Sequence, residues 1–139
     1  MLDKAIQQAL RPVMTRAARG LVRLGVGADA ISVAGFVTGM AAAAAIAFQQ
    51  FTAGLVLLLL SRLMDGLDGA VARATTPTDR GGFLDITLDF LFYAAIPLAF
   101  AVADPAANAL PAAVLLASFI GTGSSFLAFA AVAEKQKLQ

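Results

Sequence analysis

The chain has 139 residues, of which 60% are hydrophobic and only 14% charged, with a mean hydropathy of +0.83; this excludes an ordinary water-soluble domain, where roughly half the residues are apolar and about a quarter charged. It contains no cysteine and no histidine, which excludes disulfides, thiolate nucleophiles, imidazole bases and the usual nitrogen and sulfur ligands of zinc. The net charge of +1 gives no reason to expect a nucleic acid as partner, and the information lies in how the charges are distributed.

Residues 2–24 alternate with helical period. At 100° per residue, Leu2, Ile6, Ala9, Leu10, Val13, Met14, Ala17, Leu21 and Leu24 share one arc, and Lys4, Arg11, Arg16, Arg19 and Arg23 the opposite one. That pattern predicts an amphipathic helix lying in the membrane interface, kinked or restarted at Pro12 because proline has no amide hydrogen to donate. The basic residues interrupt any continuous apolar core, so the segment reads as retained and not as a secretory signal.

Gly25, Gly27 and Asp29 end this pattern. No charge occurs between Ala30 and Ser61, nor between Pro105 and Ala133, and both stretches exceed the roughly 20 residues of one spanning helix. We expect spans at about 30–48, 51–73, 82–102 and 110–134. A polar turn falls at Gln49–Gln50 and a loop at Ala74–Arg80; a bend is expected at Pro97, and another loop holds Asp104, Pro105, Asn108 and Pro111. The fold class expected is thus an all-α integral membrane bundle of four spanning helices in one domain, 1–139, preceded by the interfacial helix. Basic residues cluster in the first helix, around the second-to-third connection (Arg62, Arg73, Arg80) and at Lys135 and Lys137, so the positive-inside rule places both termini and the Arg73–Arg80 loop in the cytoplasm.

The acidic residues are concentrated between Asp65 and Asp89. On the second spanning helix Asp65, Asp68, Gly69 and Ala72 share an arc of about 100°, and on the third Gly81, Asp85 and Asp89 share about 80°. In an antiparallel hairpin Asp65 is level with Asp89 and Asp68 with Asp85, the deeper pair about 12 Å from the loop. One carboxylate at membrane depth costs roughly 2.5–3.5 kcal/mol on insertion scales, and several together repel. Arg73 cannot balance four of them, whereas hard divalent cations, Mg²⁺ or Mn²⁺, favour all-oxygen sites. Two ions about 3.5–4 Å apart would suit the four carboxylates. Asp79 reads as a solvated loop residue or a helix cap.

The run Asp65-Gly-Leu-Asp68-Gly69-Ala-Val-Ala72-Arg73, followed after seven residues by Gly81-Gly-Phe-Leu-Asp85-Ile-Thr-Leu-Asp89, resembles the signature of the CDP-alcohol phosphotransferases, D-x₂-D-G-x₂-A-R-x₈-G-x₃-D-x₃-D. All eight defining positions are present; the departure is one residue missing between Arg73 and Gly81. The resemblance implies a phosphatidyl-type transferase of phospholipid biosynthesis in a bacterial cytoplasmic membrane. Its implied metal ligands are Asp65, Asp68, Asp85 and Asp89, with Asp89 also the general base on the acceptor hydroxyl, and Gly69, Ala72, Arg73 and Gly81 are implied contacts of the CDP part of the donor. The implied partners are a CDP-linked lipid donor such as CDP-diacylglycerol, an alcohol acceptor and a second copy of the chain. The family has six spanning helices where four are counted here, which reads as a C-terminal truncation. The alternatives are a divalent-cation transporter, since intramembrane acids can mark an ion path, and a catalytically silent helical scaffold.

The hydroxyls of Thr75, Thr76, Thr78, Ser124 and Ser125 are expected to bond local backbone. Phe83, Phe90, Phe92 and Tyr93 are read as packing or interface residues.

Overall fold

The computed structural model describes residues 2–137, with side chains described over 12–136. The described residues form five helices and no strand: α1 (Leu2–Arg23), α2 (Ala28–Ala47), α3 (Phe51–Ala74), α4 (Asp79–Ala103) and α5 (Pro105–Lys137). The chain is an all-α membrane bundle in which α2 packs on α3 and α4, α1 on α3, and α5 on α4.

Three of these helices, α2, α4 and α5, are long and apolar enough to cross a membrane. The difference from the four spans expected falls on α3, which has the length, 24 residues, but whose apolar run is broken by Arg62, Asp65, Asp68 and Arg73. Helix α4 runs through Pro97, and α1 runs through Pro12 without a restart.

The expected loop around Asp104–Pro111 is instead a corner one residue wide. Pro105 opens α5, where its missing amide costs nothing, and Asp104 Oδ1 accepts from the Ala107 amide at 3.1 Å. Asn108 Nδ2 reaches back to the Phe100 carbonyl at 3.0 Å, and Pro111 lies inside the helix. Residue types that favour loops here serve as a cap and a brace.

The other corners follow from backbone hydrogen bonding. Gly25 adopts φ +76°, the left-handed conformation that ends helices. The Gly25 and Val26 amides then reach the Val22 and Leu21 carbonyls at 3.0 Å each. The same pair of bonds ends α2, with Gln49 at φ 61° and the Gln49 and Gln50 amides on Ile46 and Ala45 at 2.8 Å. A non-glycine residue is strained there, and Gln49 Nε2 donates to the Ala103 carbonyl at 2.9 Å, tying the end of α2 to the end of α4.

Small residues bring α2, α3 and α4 together. A Cβ on Gly39 would meet Phe92 Cδ2 at 2.6 Å and Ser61 Oγ at 2.9 Å, and one on Gly54 would meet Ile46 Cγ1 at 2.6 Å. Close approach through glycine is how helices gain packing area when no hydrophobic effect drives them together in lipid. Buried Ser61 adds an interhelical bond, donating to the Gly35 carbonyl at 2.8 Å.

The apolar arc expected on the first helix is divided. Ala18, 1% exposed, joins Ile31 and Val71 in a core cluster with Leu21 and Val22 against it; Val13, Ala17 and Leu24 stay exposed beside Arg16, Arg19 and Arg23. Side chains 2–11, including Lys4 and Arg11, lie outside the described ones.

Candidate functional site

Helices α3 and α4 are joined by the short segment 75–78. Thr75 Oγ1 donates to the Val71 carbonyl at 3.0 Å, and Thr78 caps α4 by accepting from the Gly81 amide at 3.0 Å. Asp79 therefore begins α4 and does not cap it, and Ser125 Oγ likewise bonds locally, to the Thr122 carbonyl at 2.9 Å. With both helix ends fixed, the acidic stripe of each helix turns toward the other. Asp65, Asp68, Asp85 and Asp89 line one cavity together with Ser32, Gly35 and Phe36 of α2, Arg62 of α3 and Leu88 of α4.

The four aspartates do not stand alike within it. One carboxylate oxygen from each of Asp65, Asp68 and Asp85 lies within 4.8 Å of the others. Opposed ligands stand about 4.2 Å apart around Mg²⁺ and about 5 Å around Ca²⁺, so this donor set fits one hard dication to within small side-chain adjustments. Asp68 is buried, 5% exposed, and Ser32 Oγ donates to its Oδ2 at 2.6 Å. That bond fixes one carboxylate oxygen and crosses from α2, so a third helix takes part in a centre that the sequence places on two.

Asp89 lines the same cavity but is outside that set of three and is bonded to an arginine instead. Its Oδ1 accepts from Arg62 Nη1 at 3.0 Å, and the same nitrogen lies 3.7 Å from Asp65 Oδ2. The Arg62 guanidinium is stacked 3.9 Å above the Phe92 ring with Tyr93 at 5.9 Å. Neither Arg62 nor Ser32 belongs to the signature. Arg62 does carry a sequence signal, since it precedes Asp65 by three positions and falls on the edge of the same helical arc. Ser32 carries none, because only the packing of α2 on α3 brings it to Asp68.

The other signature positions, Gly69, Ala72, Arg73 and Gly81, lie nearer the 75–78 connection and outside the cavity lining. Arg73 is exposed, and its guanidinium folds back over Gly69, with Nη1 3.2 Å from where a Cβ at 69 would be. Gly81 lies against Thr78 and the Asp29 carboxylate, whose oxygens stand 3.2 and 3.3 Å from a Cβ built there. Asp29, in the first turn of α2, pairs with exposed Arg80 at 3.5 Å. Ala72 is half-buried one turn beyond Asp68. Phe92 is buried against Gly39 and half-buried Phe90 packs against Gly123, so both serve packing, Phe92 also as the floor beneath Arg62.

Comparison with known proteins gives the same region a family context. Residues 26–139 match the family described as CDP-alcohol phosphatidyltransferase. The chain is 49% identical over 138 residues to the inner membrane protein YnjF of Escherichia coli, covering 99% of this chain and 67% of that protein. It is 40% identical over 92 residues to the archaetidylinositol phosphate synthase of Methanothermobacter thermautotrophicus, covering 65% of this chain and 47% of that enzyme. It is 36% identical over 98 residues to the enzyme of the same name from Pyrococcus horikoshii, covering 69% and 51%. The chain thus spans about half the length of the two archaeal enzymes. No solved structure matches it.

Proposed function

The chain belongs to the CDP-alcohol phosphatidyltransferase family, and from that premise we propose that it transfers a substituted phosphate group from a CDP-linked lipid to an alcohol, releasing CMP. The observation that carries this reading is the convergence of Asp65, Asp68 and Asp85 within 4.8 Å, in a cavity shared with Asp89 and Arg62. Three hard oxygens on membrane-level helices suit a divalent cation and little else.

Asp65, Asp68 and Asp85 would hold that cation, Mg²⁺ or Mn²⁺. When bound there it supplies Lewis-acid polarisation of the donor's pyrophosphate. The space that a side chain at position 69 would take is used by the Arg73 guanidinium, which lies over Gly69 and is placed to donate paired N–H groups to phosphate oxygens. Asp89 serves as general base. The acceptor oxygen bonds to the phosphorus that carries the lipid, the bond from that phosphorus to CMP breaks, and the hydroxyl proton passes to Asp89.

The same reading sets the chain in its membrane. Helix α3 returns antiparallel along α2 between two short connections, so if α2 crosses, α3 crosses with it and its charges face the cavity. The distribution of basic residues favours a cytoplasmic mouth. The exposed Val13, Ala17 and Leu24 of α1, flanked by arginines, suit an interfacial position. Cation transport fits less well, since α5 carries no acidic residue from Pro105 to Ala133 to continue a path. Two relatives are named for an inositol phosphate product, which puts phosphorylated polyols first among acceptors to try.

The test is to incubate the purified protein with CDP-diacylglycerol, Mg²⁺ or Mn²⁺ and a panel of inositol phosphate, glycerol phosphate, serine and choline. Metal-dependent CMP release with one acceptor is the expected result. Folded protein that releases none with any acceptor would overturn the proposal.

A further inference from the structure

The cavity already contains a cation of its own. Four carboxylates line it, and one guanidinium, that of Arg62, is set among them. Nη1 serves two acids at once, Asp89 at 3.0 Å and Asp65 at 3.7 Å. The plane of the group rests on Phe92 at 3.9 Å, a ring that is itself buried and wedged against Gly39. Nη2 lies 3.4 Å from Ser61 Oγ. The Nε of Arg62 is buried with no hydrogen-bond partner, an unfavourable arrangement that persists because the ring and the two carboxylates together fix the guanidinium.

From this geometry we infer that Arg62 takes the place of a second metal ion: its guanidinium occupies the position between Asp65 and Asp89, so that the site takes up a single divalent cation before the donor arrives. The inference rests on the reading of Asp65, Asp68 and Asp85 as a cation site. Where two metals serve a phosphate site, they stand about 3.5–4 Å apart and share flanking carboxylates. Here the position between Asp65 and Asp89 that a second ion would need is filled by a guanidinium, a weakly hydrated cation suited to buried pairs. A dication placed beside it would meet a fixed positive charge at contact distance. Arg62 also leaves one oxygen of Asp89 free of its grip, since only Oδ1 is bonded to it, and that second oxygen is the one available to an acceptor hydroxyl. Arg62 is thus a positioning residue, acting through Asp89 and through the ion count.

The measurement is Mn²⁺ stoichiometry by electron paramagnetic resonance on the full chain in detergent, without any CDP-linked donor. About one Mn²⁺ per chain is expected for the native protein, and about one for Arg62→Lys, which keeps the charge. Arg62→Gln is expected to bind about two, with the exchange-coupled spectrum of a paired site. Asp89→Asn in the native background is expected to keep the count at about one. Two ions in the native protein, or loss of the single ion in Asp89→Asn, would overturn the inference even if Arg62→Gln fails to fold. An uncoupled single ion in folded Arg62→Gln would overturn it as well. These outcomes are separate from CMP release: a native protein that binds one ion and releases no CMP ends the transferase reading and leaves the ion count standing.

Discussion

Toward the 75–78 connection, α3 and α4 face each other with Asp65, Asp68, Asp85 and Asp89, and what lies between them is a serine hydroxyl, a guanidinium and a cavity. Toward the opposite end the same helices meet α2 through Gly54, Ile46, Ala43 and Ala99, with no charge and no space for a methyl group. The first end keeps like charges close, which repel unless a cation joins them; the second gains from contact alone, which in lipid requires small residues. One hairpin therefore holds two kinds of sensitivity. Charge substitutions at the acidic end should alter ion binding and turnover with little effect on the fold, and added volume at the glycine-lined level should alter the fold first.

Four substitutions sharpen or break that contrast. Asp89→Asn should lower kcat by about 10²–10⁴-fold, the range for loss of a general base, with unfolding in a denaturing-detergent titration unchanged; a large loss of stability would mean that Asp89 serves the fold. Ser32→Ala removes the 2.6 Å bond to Asp68 and should weaken Mn²⁺ binding about 10–100-fold, as is usual for partners that orient a ligand, read by titration of the metal. Gly39→Ala places a methyl group 2.6 Å from the Phe92 ring and should destabilise the bundle by about 1–3 kcal/mol. Since Phe92 also supports Arg62, this is the substitution through which the packed level reaches the charged one, and a measurable fall in kcat should accompany it. Thr78→Ala removes the cap of α4 and should cost about 1 kcal/mol without changing Mn²⁺ affinity. If it changed affinity, the α3–α4 connection would be setting the carboxylate geometry more directly than the helix contacts do.

The relation of sequence to structure differs between these same parts. Periodicity places Asp65 and Asp68 on one stripe of α3 and Asp85 and Asp89 on one stripe of α4, because a helix rotates by a fixed angle per residue whatever surrounds it; no tertiary information is needed for that. Composition likewise settles that the chain is a helical membrane protein, since lipid leaves backbone groups few other ways to be satisfied. The tendency of threonine and serine hydroxyls to bond nearby backbone is local, and Thr75, Thr78 and Ser125 follow it. The Asp104–Pro111 region misleads for a related reason: proline, aspartate and asparagine favour loops and helix starts alike, and the context that separates the two is the neighbouring helix end to which Asn108 bonds.

What the amino-acid sequence determined by itself is therefore whatever depends on one helix at a time: the all-α class, the acidic stripes and the signature that identifies the family. What only the tertiary structure decided is which groups from different helices meet. Ser32 reaches Asp68 from α2, and Arg62 turns to Asp89 with Phe92 beneath it, so three aspartates gather their oxygens while the fourth is bonded to an arginine. The physical reason is that periodicity fixes the direction of a side chain about its own axis, whereas its partners depend on how closely glycine lets the neighbouring axes approach.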